Sequence, residues 1–380
     1  MRVRVFGKKV SEFRGGVFIA RRVHRGSLVI PVRLRRITTM LGFIAEGRLV
    51  IGRRGLAVFI LSSLVLLSTI AAAQDGRKLR AGYASLSGNM TPFWAAREAG
   101  LFKKYGLDID LVAFPSGTEG MAAMIAGEIE FLAIAGSTTA SAAIGGADVI
   151  SLGNTVERLV TSLMVNSSIQ KPEDLKGKAV GISRFGTSID TAARMAIHHY
   201  GYEPMKDVTI VQVGAVSSAV AALRGGRIQA AILSYPTLIR ARREGFREML
   251  DIASLGVAYA STGVTVRRSF MAQRRDVVTN YLKSILEAIA RVKKDKPFAI
   301  EVMSKYFRIN DREMMEETYE VSVNKYLKRV PTPTAEAFRS VIDELAQVNP
   351  KAKGQDPTRF YDDSILQELE KSGFINALYR

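Results

Sequence analysis

An ordered set of short apolar runs, amphipathic stretches and glycine stops occurs twice in this chain, 99 residues apart. Any fold has to house both copies. In the first copy the pattern predicts a strand at 79–84, a helix at 92–105 with Pro92 in its first turn, and a second strand at 108–113. A helix at 118–126 stopped by Gly127 and a strand at 129–135 follow. In the second copy 179–183 stands for the first strand, with Gly181 over Gly82, and 207–212 for the second, with Asp207 over Asp108. The helix falls at 217–225, and Gly226 with Ile228 falls on Gly127 with Ile129. Alternating β and α elements at this spacing predict parallel strands joined by right-handed crossovers. Identity between the copies is low, so generic βα periodicity is the competing origin. The single offset kept by strands, helices and glycine stops favours two similar lobes.

After the second copy, 258–266 has the pattern of a further strand. A helix is expected near 271–294, with Val278, Tyr281, Leu282, Ile285, Leu286, Ile289 and Val292 on one face. More helices are expected near 297–306, 311–327, 334–346 and 363–372. The expected fold class is α/β, two lobes each built on a mostly parallel sheet flanked by helices, with a helical C-terminal tail packed on lobe one. The chain is expected to cross to lobe two near Thr161–Val165 and to return near Leu255–Ser261. Lobe one is then 77–160 plus 258–380, and lobe two 163–255. Two crossings between similar lobes make a hinge. A single rigid body is the alternative, disfavoured by the usual size limit of one core.

The charge is concentrated at the front. Residues 1–54 carry a balance of +12, whereas 74–380 carry only +6 of the total of +18. No basic stripe interleaved with aromatics occurs in the body, which argues against nucleic acid as a partner. Residues 55–73 are uncharged and apolar and end in Ala71, Ala72 and Ala73. With Arg53 and Arg54 in front, this is the pattern of a secretory signal cut near Ala73. An uncleaved membrane anchor is the alternative, since 19 uncharged residues can span a bilayer. The basic leader 1–54 fits neither reading over its first 39 residues, and Met40 is a candidate start.

The 380 residues include no cysteine and three histidines, His24, His198 and His199. Disulfides, thiolate nucleophiles and sulfur-bound metal sites are therefore excluded, and a histidine-rich metal centre is not expected. No nucleophile elbow, phosphate-binding glycine loop or zinc-protease motif is present. No cofactor or metal is expected, and the chain is expected to act as a monomer.

Three stretches carry a resemblance to a known family. Residues 96–111 (AREAGLFKKYGLDIDL) resemble the opening of periplasmic substrate-binding proteins of the nitrate/sulfonate/taurine and thiamine-pyrimidine precursor class. Residues 126–131 (AGEIEF) are similar to that family's helix-to-strand step, with Glu130 where Asp is usual. Residues 173–182 (EDLKGKAVGI) resemble its entry into the second lobe. The resemblance covers roughly 79–330 and rests on structural motifs, so it bears on fold more than on ligand. It implies a two-lobed, type II-like periplasmic-binding-protein fold, a periplasmic location and an ABC transporter permease in the inner membrane as partner. It also implies a small-molecule ligand, an organic anion or polar heterocycle. Enzymes of similar fold, the thiamine-pyrimidine synthases and a desulfinase, depend on cysteines that this chain lacks. A ligand sensor for a membrane signalling partner is a further alternative using the same clamp.

In open α/β sheets ligands bind beyond the carboxyl ends of the strands. Candidate contacts there are Ser85, Ser87, Asn89, Thr118, Ser137, Thr138, Arg184, Gly186, Thr187, Ser188 and Tyr235. Several of these open helices, whose unpaired N–H groups favour carboxylate, sulfonate or phosphate. Each has a plainer role available. Ser137 and Thr187 are good N-caps, Gly186 suits a turn, and Arg184 could pair with a surface acid instead of a ligand anion. Asp190, three residues after Thr187, would compete for the same N–H groups. Trp94 and Tyr235 could stack on a flat ligand, although Trp94 also suits core packing within its helix.

Overall fold

The computed structural model describes residues 78–380. The basic leader and the expected signal at 55–73 lie outside the described residues. Among the described residues, ten strands form two five-stranded sheets. The first contains β1 (Leu79–Ala84), β2 (Ile109–Phe114), β3 (Phe131–Ile134), β4 (Val149–Val156) and β10 (Thr262–Arg267) in the order β2-β1-β3-β10-β4. The second contains β5 (Thr161–Val165), β6 (Ala179–Ile182), β7 (Thr209–Gln212), β8 (Ala230–Ser234) and β9 (Arg247–Asp251) in the order β7-β6-β8-β5-β9.

The two sheets keep one register. β1 pairs in parallel with β2 from Leu79 opposite Ile109, and β6 with β7 from Ala179 opposite Thr209. β3 joins at Ala81 opposite Phe131, and β8 at Val180 opposite Ala230. In each sheet one strand, β10 or β5, is antiparallel to both neighbours. These are the strands by which the chain enters a lobe from the other, so each sheet is mixed, with four strands running one way and one reversed.

The repeat extends to the helix ends. Helix α3 (Gly117–Ile125) and its counterpart α6 (Val216–Arg224) begin and end 99 residues apart. Gly127 and Gly226 follow them at φ 76° and 67°, a left-handed conformation that glycine adopts without steric cost. The N–H of Glu128 donates to Ala123 O and that of Gly127 to Met124 O, and Arg227 and Gly226 do the same to Ala222 O and Leu223 O. Both helices therefore stop on the same Schellman motif. Gly82 and Gly181 are matched by packing, since a Cβ at either would meet the Cδ1 of Ile129 at 2.8 Å or of Ile228 at 2.4 Å.

The remaining helices of the lobes are α1 (Thr91–Glu98), α2 (Leu101–Lys104), α4 (Gly136–Ile144), α5 (Ser188–His199) and α7 (Thr237–Arg243). The tail comprises α8 (Arg268–Gln273), α9 (Arg275–Lys294), α10 (Lys296–Phe307), α11 (Arg312–Tyr319), α12 (Ala335–Ala346), α13 (Ser364–Lys371) and α14 (Phe374–Ala377). The helix expected at 271–294 is broken at Arg274, whose backbone (φ −132°, ψ 47°) leaves the helical range and separates α8 from α9. Its seven expected apolar residues are all buried. The stretch expected as one helix at 311–327 becomes a π-helical turn at Glu320–Lys325 after α11.

Most of the tail shares the core of lobe one, with Tyr281, Ile285, Ile289, Met315 and Leu366 packed among Phe93, Trp94 and Phe131. Helix α12 does not. Its Ala337, Phe338, Val341, Ile342 and Leu345 join the core of lobe two, together with Ala140 of α4. Full burial of a side chain such as Phe338 contributes about 1.5–3 kcal/mol, so α12 fastens the tail to both halves.

The chain passes between the sheets at 157–160 and 252–261. Thr161–Val165, expected as the first crossing, is the strand β5 that begins lobe two. The two crossings are bonded to each other by Tyr259 N–H to Glu157 O at 3.2 Å. The Glu157 carboxylate also ties the first crossing to the tail through Lys328 Nζ at 2.9 Å.

Candidate functional site

The lobes meet rim to rim. Gly88 N–H of lobe one donates to Tyr235 O of lobe two at 3.1 Å. Thr138 Oγ1 donates to Gly186 O at 3.2 Å. Arg184 Nη2 lies 2.9 Å from Glu119 Oε1, with both side chains substantially exposed. Beneath these contacts is a cavity of about 60 Å³ at the carboxyl ends of the strands. It has room for a handful of water-sized groups.

Its walls come from both lobes and both crossings. Lobe one supplies Ser85, Ser87, Asn89, Ser116 and Thr138; lobe two supplies Thr161, Ser183, Thr187, Ser188 and Ser234; the return crossing supplies Ser261, with Thr262 beside it. Four helices begin at it. Ser116 and Gly117 open α3, Ala135 opens α4, Thr187 and Ser188 open α5, and Val216 opens α6. At α3, α4 and α6 no side chain caps the helix. The N–H groups of these first turns and the positive ends of the dipoles are the elements of an anion site.

At α5 the local sequence supplies its own cap. Thr187 Oγ1 accepts from Asp190 N–H at 3.5 Å, and Asp190 Oδ2 accepts from Gly186 N–H at 2.9 Å. Burial raises the Asp190 carboxyl above the ordinary carboxylate range, against the opposing pull of Gly186 N–H and Arg194. No charged side chain lines the cavity among the described residues. Two polar atoms in its walls are buried without a hydrogen-bond partner, Asn89 Oδ1 and Thr161 Oγ1, one from each lobe. Each residue is 7% exposed. Such atoms are costly to leave unpaired, and both residues line the one cavity. Ser85 at the edge holds φ 82°, an unfavourable backbone for a residue with a Cβ. Strain of this kind clusters at ligand clamps.

Of the residues expected from sequence, Ser85, Ser87, Asn89, Thr138, Thr187 and Ser188 line the cavity. The other six do not. Trp94 is fully buried in the core, its ring stacked on Tyr306 at 4.8 Å between centroids. Ser137 is buried behind the wall at 1% exposure. Thr118 Oγ1 bonds with Ser116 Oγ at 3.0 Å. Arg184 pairs with Glu119, Gly186 accepts from Thr138, and Tyr235 contributes its backbone carbonyl to the rim contact. Burial pushes the Tyr235 phenol up to about 12.

Thr161, Ser183, Ser261 and Thr262 were not foreseen. Thr161 falls in the stretch expected as the first crossing, and Ser261 and Thr262 fall in 258–266, expected as a strand. Among the described residues no three His, Cys, Asp or Glu side chains come together as metal ligands would.

Comparison with known proteins agrees with this architecture. A Brucella abortus protein named as a binding protein is 25% identical over 255 residues, 65% of this chain and 77% of that one. The taurine-binding periplasmic protein of Escherichia coli is 26% identical over 195 residues, 49% of this chain and 58% of its own length. The solved alkanesulfonate-binding protein SsuA from Xanthomonas axonopodis pv. citri, bound to MOPS, superimposes with a TM-score of 0.62 at 17% identity, covering 77% of this chain and 96% of that one. It shows the periplasmic-binding-protein fold. The family model described as NMT1/THI5 like matches residues 87–297, more than half of the sequence, and the chain belongs to that family.

Proposed function

We propose that this chain is the extracytoplasmic solute-binding component of an ABC-type importer and that it captures a small organic oxyanion between its lobes. The observation that carries the proposal is the cavity itself, in which uncapped helix N-termini and unpaired polar atoms from both lobes face one small space. An oxyanion supplies acceptors for the helix N–H groups and the wall hydroxyls at once. A ligand touching both lobes stabilises their contact in proportion to what it gains there over the open arrangement. The closed pair of rims is then the surface a membrane permease would recognise, and a periplasmic location accords with the relatives that bind taurine and sulfonates. The neutral walls supply hydrogen bonds and dipoles instead of a general acid or base, which supports capture and release over catalysis.

The test is calorimetry of the purified protein against sulfonates, carboxylates and nitrate, with mass spectrometry of the released hit. Binding of an oxyanion that is recovered unchanged supports the proposal. Its conversion to a product, or no binding by any anion, refutes it.

A further inference from the structure

Ser85, Pro115 and Val216 line the cleft cavity and equally a second compartment of about 370 Å³. The remaining walls of this annex are mostly apolar: Leu86 and Phe114 from lobe one, Ala215 and Pro236 from lobe two, and Phe307 and Ile309 from the tail. The two compartments differ in chemistry as well as size. One is polar and accommodates few heavy atoms, whereas the other offers carbon surface with room for a ring system.

Resting on the oxyanion reading, we infer that the solute is amphipathic. Its charged head occupies the polar cavity, and an aromatic or branched apolar arm passes Ser85, Pro115 and Val216 into the annex. An organic anion that outgrows the head cavity extends into neighbouring space, and the annex adjoins it through three shared wall residues. Burying an apolar arm there raises affinity by roughly fourfold per methylene. An arm ending in ammonium would lose its hydration against apolar walls. It would also meet Arg240, which lines the same space with its Nε 3.8 Å from Glu244 Oε1. The annex therefore selects against nitrate, which has no arm, and against taurine, whose arm is charged.

The test compares methanesulfonate, taurine and benzenesulfonate by calorimetry on the full chain and on the variants Leu86→Asn and Ile309→Asn, which make the annex polar without adding charge beside an anion. Leu86 is 49% exposed, so its substitution spares the core. Benzenesulfonate is expected to bind more than about tenfold tighter than methanesulfonate, with taurine weakest. Each variant should bring benzenesulfonate down towards methanesulfonate and leave methanesulfonate unchanged. Equal binding of the two sulfonates, or two variants without effect on benzenesulfonate, overturns the annex and leaves the oxyanion reading intact. Failure of all three to bind the unmodified chain overturns this inference, and failure of carboxylates and nitrate as well removes the oxyanion reading with it.

Discussion

Two of the contacts between the lobes are chemically opposite. In the cleft they present hydroxyls, an amide and helix N-termini around a space without a charged wall. Along the seam between α7 and the tail they present full charges. Arg242 pairs with Glu317, and Arg243 pairs with Asp311 and, at 2.9 Å, with Glu313. The cleft groups are buried and the seam groups largely exposed. Solvated ion pairs are weak and screened by salt, so the seam holds the lobes together only weakly. Buried dipoles and hydroxyls gain most when a ligand completes them, so the energy of closing on a solute is concentrated in the cleft.

The largest break in this comparison comes from filling the cleft. Ser188 is half-buried at the start of α5. Ser188→Trp is expected to weaken binding by at least about a hundredfold, or roughly 2.7 kcal/mol, while circular dichroism and the unliganded melting temperature stay close to those of the parent. Retained affinity would place the ligand outside this cavity.

Next come the two unpaired atoms. Thr161→Val and Asn89→Ala should each cost about 1–1.5 kcal/mol in binding, close to tenfold. Thr161→Val should leave the unliganded protein as stable as before, because it removes a buried hydroxyl that has no partner. A clear loss of unliganded stability would show that this hydroxyl serves the fold.

At the seam, Arg243→Ala removes two ion pairs at once. Ligand affinity is expected to fall slightly at low ionic strength and to match the parent at high salt. A difference that survives in high salt would mean that the seam contributes more than screened charge attraction.

The smallest effect concerns a third contact, α5 against α12, where a carboxyl is half-buried. Glu344 Oε2 has no hydrogen-bond partner. Burial raises the Glu344 carboxyl above its ordinary value, with His198 and Arg194 opposing the shift. A raised value means that the folded protein holds this proton more tightly than the unfolded chain. Its contribution to stability is therefore complete below the ordinary carboxylate range and is lost as pH rises through the raised value. Glu344→Gln should raise the melting temperature at neutral pH, and the gain should shrink as pH falls into the carboxylate range.

Much of this was legible before any coordinates. The 99-residue offset foretold two sheets of one register because strand period, helix stop and glycine position are local properties. Gly127 and Gly226 end their helices as expected, and the apolar face of α9 is buried residue by residue. Half of the foreseen site residues line the cavity, all of them in loops after strands or at helix starts. Two of the residues that lie outside it have contacts set by distant neighbours. Trp94 packs on Tyr306, 212 positions away, and Arg184 finds Glu119 in the other lobe.

The amino-acid order by itself determined the two-lobed plan, since alternation, capping and glycine stops act within a few residues and need no partner. Tertiary structure decided which further groups line the cavity. Thr161 and Ser261 became cavity walls because the two crossings run side by side through the cleft. Asn89 Oδ1 and Thr161 Oγ1 were left unpaired because groups from two lobes converge on a space that neither can fill. Contacts between segments far apart in the chain are set by how the lobes dock, and no local pattern encodes that docking.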